Sequence, residues 1–268
     1  MNIEIESLLR SKGLSEKTIS NYLNAVRQFE KKMNRKIEEA SREDVYNFLS
    51  SLSPKTRYAY AIALRSVLKA LEKDFYEDIT IGRIGQRKYV IIPEEEVEKI
   101  VYSIADVNLK MSTAIALTYE LALRVSELVI MKIQDIDVDQ WTANVYRVKS
   151  KRFYRLPIVS EWVKKIVLRH LETHPRHTDY LIYSRKRPYR YNVSVMSRMI
   201  SQVLKNYGYQ DAKPHDLRHS RATNLLKKGL DVRALQIFLG HASISQTERY
   251  THLTELDLRM MIEKLYKS

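Results

Sequence analysis

Four stretches of this sequence place basic or polar residues where local packing does not require them. They are Arg124 in "ALRVSEL", the turn "VKSKRFYR", His215, Arg218 and His219 in "PHDLRH", and His241 with Tyr250 in "LGHASISQTERYTH". Each alone has an ordinary reading. Arg124 follows an apolar helix and can pair with Glu120 or Glu127. A basic hairpin is usually a solvated face. His215 and Arg218 stand i and i+3 at a helix start, and His241 follows Gly240, where a capping residue would sit. Together they suit phosphodiester transfer, which asks of a protein mainly positioning, charge stabilisation and a nucleophile. Two arginines can clamp non-bridging oxygens with planar paired donors and stay charged at any working pH. Histidines and a lysine can move protons, each typically worth ~10²–10⁴-fold. A tyrosine supplies an attacking oxygen. Its ordinary pKa near 10 leaves about 0.1% ionised at pH 7, so it needs cations and a proton acceptor nearby.

These residues must be held by elements the sequence also announces. The N-terminal part reads as four short amphipathic helices in about 75 residues. Ser15 caps a helix whose apolar stripe is Ile19, Tyr22, Leu23, Val26 and Phe29. Ser41 caps another, with Asp44 in its first turn, and Ser53-Pro54 opens a third carrying Ala61, Leu64, Leu68 and Leu71. Residues 76–92 lack a sustained helical period and read as a linker. Pro93 and three glutamates restart a helix. The rest is mixed. "LKMSTAIALTYELAL" is a buried helix, and "TANVYRVK" and "FYRLPI" are two strands joined by a basic turn. Four more helices follow, three of them stopped by Gly208, Gly229 and Gly240. A final amphipathic helix has Leu253, Leu256, Met260, Met261 and Leu265 as its stripe.

Composition bounds the partner. Only 6 Gly and 6 Pro in 268 residues, with 44% hydrophobic residues, describe an ordered, helix-rich globular chain. The absence of cysteine excludes disulfides, thiolate metal sites and cysteine nucleophiles, and fits an intracellular location. No stretch approaches the ~18 apolar residues of a membrane span, and the N-terminus does not read as a signal peptide. The net charge of +14 points to a polyanion. Residues 141–198 hold 14 Lys and Arg against 3 Asp and Glu, a net of +11, so most of the excess lies in one fifth of the chain. Such a block suits a phosphate-facing surface.

"ALRVSEL" followed by "DID", then "PHDLRHSRAT", then "LGHASISQTERYTH", in this order and over this length, resemble the tyrosine recombinase family of Xer and phage-integrase type. "LSEKTISNYLNAVRQF" is similar to that family's N-terminal core-binding domain. The resemblance implies a mostly α fold with a small β-sheet. It implies a helical, SAM-like, DNA-binding core-binding domain over 1–75, a linker over 76–92, and a mixed α+β catalytic domain over 93–268 ending in an exchange helix that docks on a neighbouring protomer. Docking on its own domain is the simpler alternative. Tyr250 would be the nucleophile that forms a 3′-phosphotyrosyl link. Arg124 and Arg218 would clamp the phosphate, and His215 and His241 would move protons and bond the phosphate. A hairpin lysine would protonate the leaving 5′-oxygen. Counting from Arg124 and Pro157, Lys149 aligns best. Lys151, two residues away and on the same face of a strand, stays open. The family's glycines around that lysine are missing here, and Ala122 stands where it usually has Gly.

The activity implied is site-specific DNA recombination, needing no metal, cofactor or ATP. The partners implied are double-stranded DNA bearing a defined site and further copies of the chain, as a tetramer on paired sites. No membrane is involved, and the location is cytoplasmic and nucleoid-associated. The task could be chromosome-dimer resolution for partition, integration or inversion. Two other roles fit the same fold: a catalytically silent DNA-binding or architectural protein, and a topoisomerase-like nick-and-rejoin enzyme. A metal-dependent nuclease would draw on Asp135, Asp137 and Asp139, although alternating acids in a turn are more often caps.

Overall fold

The structure, a computed structural model, describes residues 3–80, 89–187, 189–240 and 255–267. The chain divides into two compact units, Met1–Arg87 and Lys88–Ser268.

In the first unit four helices surround one apolar core: α1 (Ile3–Ser11), α2 (Glu16–Met33), α3 (Arg42–Ser50) and α4 (Pro54–Ala70). The start signals act as their chemistry requires. Ser15 Oγ accepts from Thr18 N at 3.2 Å, and Ser41 and Asp44 form a reciprocal capping box. Such caps are worth about 1 kcal/mol each. Ile19, Leu23, Val26 and Phe29 of α2 are buried against Phe48 of α3 and Leu64 and Leu68 of α4. Tyr22 and Leu71 lie at the core's edge. Residues Asp74–Asp78 form a 3₁₀ helix and Ile79 is buried in this same core, so the N-terminal end of the expected linker packs with the first unit.

The second unit is built around α6 (Leu109–Glu120), in which every residue from Met111 onward is buried. α5 (Glu94–Ala105), α8 (Glu161–Glu172) and α10 (Pro214–Lys227) pack against it. An antiparallel sheet in the order β1 (Ile136–Asp137), β2 (Thr142–Arg147), β3 (Arg152–Pro157) lies alongside. β2 and β3 pair from Thr142↔Pro157 to Arg147↔Arg152. Residues 148–151 make the turn, closed by Lys151 N donating to Arg147 O at 2.8 Å. The one-turn helix α7 (Val125–Leu128), α9 (Val193–Asn206), α11 (Val232–Phe238) and α12 (Glu255–Lys267) complete the unit. At the far end of the expected linker, Ile92 is buried in this unit's core.

Three buried polar contacts tie α6, α8, α10 and α12 together. Glu120, the last residue of α6, accepts from Val159 N, Ser160 N and Ser160 Oγ ahead of α8. Its carboxylate pairs with Arg221 of α10 at 2.8 Å. Arg221 in turn donates to the Tyr266 hydroxyl of α12. In this single chain the final helix lies against its own domain; Leu265 of the expected stripe packs on the core, whereas Leu253 and the Leu256 side chain lie outside the described residues. Leu258 and Ile262 are buried, with Leu265 and Tyr266 against the core, while Met260 is 60% and Met261 40% exposed. Leu258, Ile262 and Leu265 keep a helical period and share one face, and the helix lies against β3.

Candidate active site

The site begins where α6 ends. Leu123 N donates to Thr118 O at 3.0 Å and Ala122 N to Tyr119 O at 3.0 Å, which closes a Schellman-type stop. This geometry puts Ala122 in the left-handed region, at φ +46°. An L-residue pays about 1–2 kcal/mol there, so Ala for the family's usual Gly is not a neutral exchange. The reversed turn aims the Ala122 carbonyl at two arginines. Arg218 Nη1 donates to it, and Arg147 Nη1 reaches it at 3.4 Å.

Arg124 follows at the start of α7. Its backbone N–H donates to Glu127 Oε2 at 2.9 Å and its guanidinium to Glu127 Oε1 at 2.7 Å. Of its two candidate partners, Glu127 is the one, since Glu120 is taken by Arg221. The same carboxylate accepts from Arg147 Nη1 at 2.7 Å and lies 3.9 Å from Arg218 Nη1. One buried carboxylate thus holds three guanidinium groups. Burial works to raise the Glu127 pKa, yet Arg147 and then Arg124 outweigh it and hold the carboxyl below its ordinary value. Arg218 shows the opposite imbalance. Burial, then the charges of Arg124 and Arg147, push it down to about 9 against the pull of Glu127. The cluster carries more positive charge than its carboxylate cancels, and an anion with paired acceptor oxygens is what would balance it.

His215 sits in the first turn of α10, one turn ahead of Arg218. Its ring is exposed at the surface, yet partial desolvation, then His219, Arg218 and Arg124, lower its pKa against the pull of Asp216. This favours the neutral ring, the form able to take a proton. His219 lies edge-on to it at 4.7 Å, and Tyr89 covers His219 at 3.7 Å between ring centroids.

Lys149 is exposed on the hairpin turn, two residues beyond Arg147. Lys151 is not on a strand: it lies in the same turn at φ +53°, so period-2 alternation says nothing of which lysine faces the site. His241 and Tyr250 lie outside the described residues. Asp135 caps its own 3₁₀ turn by accepting from Lys132 N at 2.8 Å. Asp137 accepts from Gln140 N at 2.8 Å and pairs with Arg155 at 2.7 Å. No group of three or more metal-ligating side chains occurs among the described residues.

Arg147 joins the site although its place in a basic run gives no sign of it. Within a basic run it reads as solvated, but strict alternation from Ala143 and Val145 puts it on the inward face of β2, where it is fully buried.

The phage integrase family matches residues 91–256, and its N-terminal SAM-like domain matches residues 4–80. The chain belongs to the phage integrase family. This family member is 32% identical to the tyrosine recombinase XerA of Pyrococcus horikoshii over 97% of its length and 92% of the relative's. A crystal structure of XerA recombinase covers 98% of both chains at 29% identity with a TM-score of 0.51. A lambda integrase tetramer bound to a Holliday junction shares the fold at 20% identity with a TM-score of 0.68, over 91% of this chain and 76% of that one. The mostly helical architecture with a small sheet is the family's. Among the described residues, no helix is long and apolar enough to cross a membrane.

Proposed function

We propose that this tyrosine recombinase cuts and rejoins DNA at defined sites through a covalent link between Tyr250 and a 3′-phosphate. Arg124 and Arg218 bind the non-bridging oxygens of the scissile phosphate. Tyr250 attacks the phosphorus, and the bond to the 5′-oxygen breaks. Lys149 gives that oxygen its proton. His215 and His241 assist proton transfer. A 5′-hydroxyl from a second strand reverses the step, so the bond energy is kept and neither metal nor ATP is consumed. The observation that carries this reading is the cluster on Glu127, three guanidinium groups with one carboxylate among them. It suits a phosphate diester in the attacked state, where negative charge grows on those oxygens.

In this reading the unit containing residues 1–75 and the catalytic unit from 93 onward each bind the duplex, and four copies act on two sites in the cytoplasm, on the nucleoid. Support comes from the charge excess and from the tetrameric assembly of the lambda integrase with its junction. Chromosome-dimer resolution, integration and inversion would all use this chemistry. The test is a nicked suicide duplex incubated in excess EDTA. The protein should form an SDS-resistant adduct with it, and Tyr250→Phe should bind the same DNA and form none. An adduct that survives Tyr250→Phe, or one that needs Mg²⁺, refutes the assignment.

A further inference from the structure

We propose that Arg147 is a positioning residue for strand cleavage: it sets where the chain leaves α11 relative to the Arg124–Arg218 pair, and so where the nucleophile is presented. This rests on Tyr250 being the nucleophile.

A fully buried arginine is costly unless its donors meet fixed acceptors. Here Nη1 and Nη2 meet three separate segments, while Nε has no partner among the described residues. Nη1 bonds Glu127 Oε2, the carboxylate that also grips Arg124. Nη2 bonds Leu121 O at 3.1 Å, in the turn leading to Arg124, and Phe238 O at 2.7 Å, at the end of α11. The last carbonyls of a helix lack partners within it. At the end of α11 two carbonyls are taken by arginines of the cluster, Phe238 O by Arg147 and Leu239 O by Arg218, each at 2.7 Å. Gly240 comes next, at φ +65°, and a Cβ there would lie 2.9 Å from Arg147 Cγ. Gly240 is therefore required twice, once for its backbone and once for the Arg147 stem. His241 follows directly and Tyr250 ten residues after Gly240. A guanidinium's planar fork can hold these acceptors at once, whereas an ammonium is a point donor on a flexible stem.

The experiment compares wild type, Arg147→Lys, Arg147→Met, Gly240→Ala and Lys149→Ala on suicide duplexes with a normal or a sulfur-bridged 5′-leaving group. DNA affinity and tryptophan fluorescence are measured in parallel. Arg147→Lys and Gly240→Ala should keep wild-type affinity and cleave ~10²-fold more slowly, the scale of an ångström's misplacement. The loss should be the same on both DNAs, because the defect lies on the attacking side. Lys149→Ala, by contrast, should recover on the sulfur-bridged DNA. Gly240→Ala keeps every charge, so it carries the test if Arg147→Met does not fold. Wild-type cleavage by both Arg147→Lys and Gly240→Ala overturns the proposal. So does recovery of the Arg147 variants on the sulfur-bridged DNA, and so does an equal loss of binding and cleavage. Failure of wild type itself to form an adduct removes the underlying reading instead.

Discussion

Replacing Glu127 by Gln leaves Arg124, Arg147 and Arg218 around a neutral amide. The side chains of Glu127 and Arg147 are both fully buried and 2.7 Å apart, so their pairing is not screened by water. Breaking a buried pair from one side costs about 3–5 kcal/mol. At ~2–4 °C per kcal/mol for a unit of this size, the melting temperature should fall by roughly 6–20 °C. The effect must also depend on pH. The folded pKa of Glu127 lies below its unfolded value near 4.3. Its stabilisation is therefore complete above about pH 4.3 and is lost as pH falls through the folded value. Wild type and Glu127→Gln should differ most at neutral pH and converge in acid. Both tryptophans, Trp141 and Trp162, belong to the second unit, so urea unfolding followed by their fluorescence reports on that unit alone. DNA should also raise the variant's midpoint more than the wild type's, because phosphate replaces part of the missing charge. A variant as stable as wild type at neutral pH, or a difference that persists unchanged in acid, would show that Glu127 is not the hub of the cluster.

Three further outcomes are expected. Lys149→Ala should slow cleavage of normal DNA and recover with a sulfur-bridged leaving group, which needs no proton. Recovery by Lys151→Ala alone would move the general acid by two residues. DNA affinity should fall steeply with salt, and replacing Arg185, Lys186 and Arg187 by Ala should flatten the log–log slope by about 2–3 if each meets one phosphate. An unchanged slope in filter binding would place the duplex elsewhere. Arg221→Met should destabilise the second unit by about 3–5 kcal/mol, and adding Glu120→Gln should recover part of that loss, since the orphaned carboxylate is gone. Strictly additive losses in urea unfolding would contradict the pair.

Much of this molecule was legible in order of local strength. Ser15, Ser41 and Pro54 start helices because capping is a contest between neighbours in the chain. The stripes of α2 and α4 appear at their spacing for the same reason. The two-stranded hairpin was readable from alternation, and so were the arginine, histidine and tyrosine motifs, whose order along the chain carries the family resemblance.

What the tertiary structure decided are the choices between locally equal alternatives. Arg124 could pair with Glu120 or Glu127. Only the arrival of Arg221, about a hundred residues away, occupies the first and leaves the second. In α12, Leu258 and Ile262 rather than Met260 and Met261 are buried, on a helix that lies against β3 and bonds Arg221 through Tyr266. Arg147 looks like one more solvated cation. It is drawn inside because acceptors from three distant segments, at 121, 127 and 238, converge on one point. Capping, turn and period preferences act over a few residues and can be read along the chain. The pairing of buried charges depends on which carboxylates and carbonyls arrive from elsewhere, and only the folded core sets that.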